Sequence, residues 1–223
     1  VLHMRDEQDV AQDKSRNIKI LEEMKEKGEL ESRMKFYYAK ELYENGNAQK
    51  AVFAFEDALK CKDLEPHDRI LGYQYGAYSA FQCAQQLKDE HGKEKIQLLD
   101  QALEFALTGI KHDPVRAEFY CVAGDVYLYR NEMHKAAVFY ASAKYCINPK
   151  ELSGAYEGAV YSFIDCYGIV PRMQLSKCLF HMGKLDEAKK EAEECFEKHK
   201  NDEAKSVIDE IIRIKGLVNL DNN

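Results

Sequence analysis

The chain has 223 residues, 45% hydrophobic and 32% charged, which is enough apolar side chain for a substantial core and too much for a disordered chain. Its net charge of −7 disfavours nucleic acid and anionic membrane surfaces, since both attract basic faces. No apolar run approaches the roughly 18 residues of a membrane-crossing helix.

Residues 1–13 read as a linker, with Val1-Leu2-His3-Met4 as a tag remnant. From Lys14 to Lys27 a helix is expected, because Ile18, Leu21 and Met24 form an apolar stripe that Gly28 ends. Between Lys35 and Pro66 a helical hairpin follows, marked by Tyr38-Ala39, Leu42, Gly46, Ala51, Phe55 and Ala58. A looser copy has Tyr75-Gly76 in its first helix and Ala102, Ala106 and Gly109 in its second. The polar stretch Lys88 to Lys95 reads as an insertion between them.

The clearest copy runs from Arg116 to Pro149, with Tyr120, Ala123-Gly124, Tyr127, Asn131, Ala136, Tyr140 and Ala143. Small residues stand where two helices must touch, and Asn131 stands at the turn, where left-handed geometry has to be tolerated. A second insertion, Lys150 to Val170, carries Gly154, Gly158 and Gly168 among aromatic residues and reads as partly helical with an irregular end. The last copy has Leu175-Ser176, Leu179, Gly183, Ala188, Ala192 and Cys195. Asp202 to Lys215, with Val207, Ile211 and Ile214 on one side, reads as a cap, and 217–223 as a disordered tail.

The alanines that open the second helices are spaced 102 − 51 = 51, 136 − 102 = 34 and 188 − 136 = 52 residues apart. A period of about 34 is that of the tetratricopeptide repeat. The four prolines, Pro66, Pro114, Pro149 and Pro171, all fall between periodic segments. The expected fold is therefore all-α: a tetratricopeptide-like, right-handed helical-repeat solenoid over residues 14–216, with capping helices at both ends.

The chain also resembles the carboxy-terminal repeat region of bacterial and phage family-2 glycosyltransferases. Arg16-Asn17-Ile18-Lys19-Ile20-Leu21-Glu22 is similar to the segment that leads into that region. Phe36-Tyr37-Tyr38-Ala39-Lys40-Glu41-Leu42-Tyr43, Arg116-Ala117-Glu118-Phe119-Tyr120 and Asp165-Cys166-Tyr167-Gly168-Ile169-Val170-Pro171 follow in the same order. The resemblance implies a catalytic domain upstream of residue 1, an α/β fold with an Asp-x-Asp metal motif. No Asp-x-Asp occurs here, so none of that family's catalytic residues maps onto this chain.

The residues themselves point to binding rather than chemistry. The seven cysteines are odd in number and form no Cys-x-x-Cys pair, so they read as buried thiols of a reducing cytoplasm. The seven histidines form no His-x-x-x-His or Glu-x-x-His ligand pair, so neither a metal nor a cofactor is expected. Cys178 and His181 lie three apart on one helix but lack an orienting third group, so no catalytic residue is assigned.

In this repeat type the first helix of each hairpin lines a concave groove. Counting along each copy puts Phe36, Lys40, Tyr43, Tyr73, Asp125, Tyr129, Lys177 and His181 there. Such a surface suits a protein or peptide segment. The same spacing also suits rings packed against the next helix. Two functional classes stay open: an accessory interaction domain of a glycosyltransferase, and a free-standing repeat scaffold.

Overall fold

The computed structural model describes residues 7–88, 91–148 and 163–221, and among these every regular element is helical. The chain divides into two compact units, Val1–His112 and Asp113–Asn223. The first holds α1 (Glu7–Glu26), α2 (Ser32–Glu44), α3 (Ala48–Lys60), α4 (Pro66–Gln86) and α5 (Gly92–His112). The second holds α6 (Ala117–Tyr129), α7 (Met133–Lys144), a 3-10 turn at Ile164–Tyr167, α8 (Ile169–His181), α9 (Leu185–His199) and α10 (Asp202–Asp221). Consecutive helices pack in antiparallel pairs: α2 with α3, α4 with α5, α6 with α7 and α8 with α9.

The small residues read from the sequence stand at these contacts. Ala51, Ala102, Ala136 and Ala188 are completely buried, as are Ala39, Ala58, Ala106, Ala143 and Ala192. Helix axes come close only where side chains are short, and larger residues then fill the flanking space. Gly124 is the extreme case. A Cβ built there would lie 2.7 Å from the ring of Tyr140, which is itself fully buried.

Three hairpins and the end of α1 are closed by the same turn. Gly28, Gly46, Asn131 and Gly183 adopt left-handed φ values of 74°, 75°, 61° and 75°. In the three hairpins the amide two past the last helical turn bonds a carbonyl five residues back: Asn47 to Leu42 at 2.9 Å, Glu132 to Tyr127 at 2.8 Å and Lys184 to Leu179 at 2.9 Å. The left-handed residue bonds a carbonyl three back, as Gly46 does to Tyr43 at 2.9 Å. This Schellman pattern satisfies carbonyls that the helix end would otherwise leave open. The Asn47 side chain then caps α3 by accepting from the Lys50 amide.

The long first interval has a different origin from the loop expected of it. Both α4 and α5 are 21 residues long, against 13 for α2 and α3. The extra residues are helix, and α5 already begins at Gly92, inside the stretch read as an insertion. Lys93, Glu94, Lys95 and Gln97 are polar but are good helix formers, so they lengthen the helix that Leu99, Ala102 and Phe105 anchor. The second insertion falls mostly outside the described residues, up to the 3-10 turn. Pro171 lies in the first turn of α8, where the missing amide costs nothing.

The terminal helices extend beyond their expected limits. Helix α1 starts at Glu7, within the stretch read as a linker, and α10 continues to Asp221, through part of the expected tail. Ile18, Leu21 and Met24 of α1 are half-buried. Ala204 and Ile211 of α10 are fully buried, and Ala204 closes the apolar face of α8 and α9 through Met173 and Cys195.

Gly124→Ala should lower stability by about 1–3 kcal/mol, because overpacking against a fixed ring outweighs the roughly 1 kcal/mol gained in helix propensity. Gly216→Ala, at an exposed helical site with nothing within 4 Å of the new methyl, should be neutral or stabilising. Urea midpoints of the two variants check this: equal midpoints would mean that the Gly124–Tyr140 contact does not constrain the hairpin.

Candidate interaction surface

In the first unit the four expected groove residues separate. Phe36 is 2% exposed and sits 6.3 Å from the ring of Phe55 on α3, so it belongs to the core and offers no surface. Lys40 and Tyr43 stay partly exposed on α2. Lys40 pairs with Glu44 one turn on at 3.3 Å, and Tyr43 stacks at a tilt on Tyr75 of α4, 5.2 Å between centroids. Burial, with a smaller push from Glu44, raises the Tyr43 hydroxyl above its ordinary value, so it stays a neutral donor.

Tyr73 turns the other way. Its ring packs against Phe105 and stacks on His112 of α5, at 6.4 Å and 5.3 Å. It lines a cleft with Glu56, Leu59 and Gln101, on the side of the second helices. Phe36 stands at the same offset, three residues before the small residue of its helix, and likewise meets the partner second helix, so this position faces into the hairpin rather than onto a groove.

In the second unit Asp125 is a hairpin tie. It accepts the Tyr140 hydroxyl at 2.6 Å across the α6–α7 contact. Burial pushes its carboxyl up to about 6, although that hydrogen bond pulls the other way. Tyr129 is 42% exposed and His181 is exposed, each on the last turn of a first helix. Lys177 is partly exposed and reaches Glu203 of α10 at 2.5 Å. His181 borders a cavity of about 470 Å³ shared with Met182, Met133 and His134. Cys178, one turn before His181, is fully buried and its thiol is pushed up to about 11, the opposite of an activated nucleophile.

Sequence reasoning missed three features of the second unit. Glu191 is buried and holds Lys144 at 2.5 Å and Arg172 at 3.2 Å, while Arg172 also binds Glu194. Its position between Ala188 and Ala192, on the apolar side of α9, was the available signal. Glu118 is fully buried, and it accepts the Tyr167 hydroxyl at 2.7 Å and the Phe163 amide at 2.8 Å. Arg116, also buried, reaches Asp113 at 3.1 Å. The segments 116–120 and 165–171, quoted separately above, therefore meet in space. Finally, Val115, Tyr145 and Ile147 stay exposed beside an apolar groove of about 430 Å³ that includes Pro114, Tyr120 and Cys146.

The Asp125 carboxyl sets a pH dependence. Its value is raised in the folded state, so the unfolded chain binds fewer protons between about pH 4 and 6, and stability falls as pH rises through that window. Asp125→Asn should remove up to about 3 kcal/mol of this loss. The check is the difference in urea midpoint between wild type and variant at pH 4.5 and pH 7. The variant should gain on wild type at the higher pH, and a constant difference would contradict the burial.

No family model matches the chain, and no curated protein is similar to it. Among solved structures it is similar to a tetratricopeptide-repeat protein of Thermus thermophilus, with a TM-score of 0.55 at 16% identity, over 87% of this chain and 88% of that one. The likeness is one of fold: consecutive helical hairpins of the tetratricopeptide type.

Proposed function

We propose that this chain is a non-catalytic protein-interaction domain that engages a protein or peptide segment through the first helices of its hairpins. The observation that carries this reading is Tyr129. It is a ring left 42% exposed at the end of α6, a helix whose other large side chains are mostly buried. Aromatic residues are enriched at the centres of interfaces, because they offer large contact area at small entropic cost. His181 and Lys177 on α8, and Lys40 and Tyr43 on α2, supply further contacts within their own units. No described helix is long and apolar enough to cross a membrane. The seven free thiols fit a cytoplasmic setting.

In the finer reading, the domain is the carboxy-terminal part of a family-2 glycosyltransferase, and docks that enzyme's protein acceptor or a partner. The resemblance at 16–22, 36–43, 116–120 and 165–171 supports it. Its alternative is a free-standing scaffold. The mass of the native polypeptide separates them: a species near 25.7 kDa supports the scaffold, and a larger one with an upstream Asp-x-Asp motif supports the transferase.

Peptides selected on the chain from a random display library, then titrated by calorimetry, test the surface. Tyr129→Ala should weaken binding by about thirtyfold, or about 2 kcal/mol, with the melting temperature preserved. Val138→Ala, at a site 64% exposed on the second helix α7, should leave binding unchanged. The reverse pattern would show that the first helices are the wrong face.

A further inference from the structure

Two thiols of the second unit meet across a long stretch of chain. Cys121 lies on α6 and Cys166 on the 3-10 turn, 45 positions apart, and both are buried in one small cluster with Ala117 and Ala143. The Cys121 Sγ donates to the Cys166 carbonyl oxygen at 3.8 Å. Both are free thiols in this structure. A disulfide requires Cβ atoms roughly 3.5–4.5 Å apart, and the approach of the Cys121 Sγ to the Cys166 backbone puts both side chains in one buried cluster. Cys146 packs on the same cluster, but its thiol is directed to the Ser142 carbonyl at 3.7 Å.

The surroundings hold this pair in register. Glu118 fixes the two ends of the 3-10 turn through the Phe163 amide and the Tyr167 hydroxyl, on either side of Cys166. The hydrogen bond with Cys166, and then burial, hold the Cys121 thiol well above its ordinary value, so the closed cluster resists attack. Reaction therefore requires the turn to lift from α6, which breaks the bonds of Glu118 to Phe163 and Tyr167 and the bond of the Ala117 amide to the Tyr167 hydroxyl.

We propose that Cys121 and Cys166 form a redox-sensitive pair, and that a low-molecular-weight disulfide converts them to a disulfide that fastens the 163–168 segment to α6. In the first step the Cys166 thiol loses its proton and attacks one sulfur of the oxidant, expelling one small thiolate, which takes up a proton. Cys121 then loses its proton and attacks Cys166 in the mixed disulfide, releasing the second small thiol. Two protein thiols are oxidised, and one small disulfide is reduced to two thiols. The link closes a long loop and constrains the unfolded chain, so the oxidised protein should melt several degrees higher, reversibly with dithiothreitol.

The test incubates the chain with oxidised glutathione at pH 8.5, in buffer and at urea concentrations up to the unfolding midpoint, then traps free thiols with iodoacetamide and maps peptides by mass spectrometry. The expected product has lost two hydrogens and joins the peptides that carry Cys121 and Cys166. It should persist in Cys146→Ser and vanish in Cys121→Ser. If both thiols remain alkylatable at every urea concentration, or if Cys166 pairs with Cys146 instead, the proposal is overturned. A cross-link without a rise in melting temperature overturns the claim that it fastens the segment.

Discussion

Each hairpin among the described residues depends on two helices packing closely at a small residue. At Ala51, Ala102, Ala136 and Ala188 the second helix presents a fully buried alanine. At Gly124 even a methyl would collide with Tyr140. The rest follows from that proximity. The rings of Phe55, Tyr140 and Phe105 are buried beside these small residues. The turn must reverse the chain within a few residues, which is why a left-handed residue recurs at Gly46, Asn131 and Gly183 with one hydrogen-bond pattern.

This explains what could be read from the sequence. Small residues and turn formers sit at fixed offsets, so the hairpins, their order and the turn at Asn131 were legible. Helix length was not: glycine and proline mark where helices stop, but a polar run such as Lys93 to Gln97 is as compatible with helix as with loop. Side-chain direction was not legible either. Tyr73 was assigned by counting from Gly76 and lies on the opposite side of α4, against Phe105 and His112. Phe36 and Asp125 were placed on a groove by position, while packing draws one into the core and the other into a bond with Tyr140. Position on a helix constrains the direction of a side chain, but exposure depends on neighbours that a single sequence does not order.

Long-range polar contacts were the least legible, because nothing local announces them. Glu118 and Tyr167 are 49 positions apart, and Lys144 and Glu191 are 47 apart. Both contacts bury charge or hydroxyl groups, and each is tolerable only because its partners are supplied by another element. Their common effect is to define the second unit: α7, α8 and α9 meet around Glu191, and the 3-10 turn is held to α6 by Glu118. A unit whose interior is fixed in this way can leave Tyr129 and His181 at the surface without those residues being needed for stability.

The most direct test of the binding account is amide hydrogen exchange of the chain, free and saturated with a selected peptide. The account predicts added protection over 117–129 and 169–181, the first helices of the second unit. Protection confined to 133–144 and 185–199, the second helices, would contradict it.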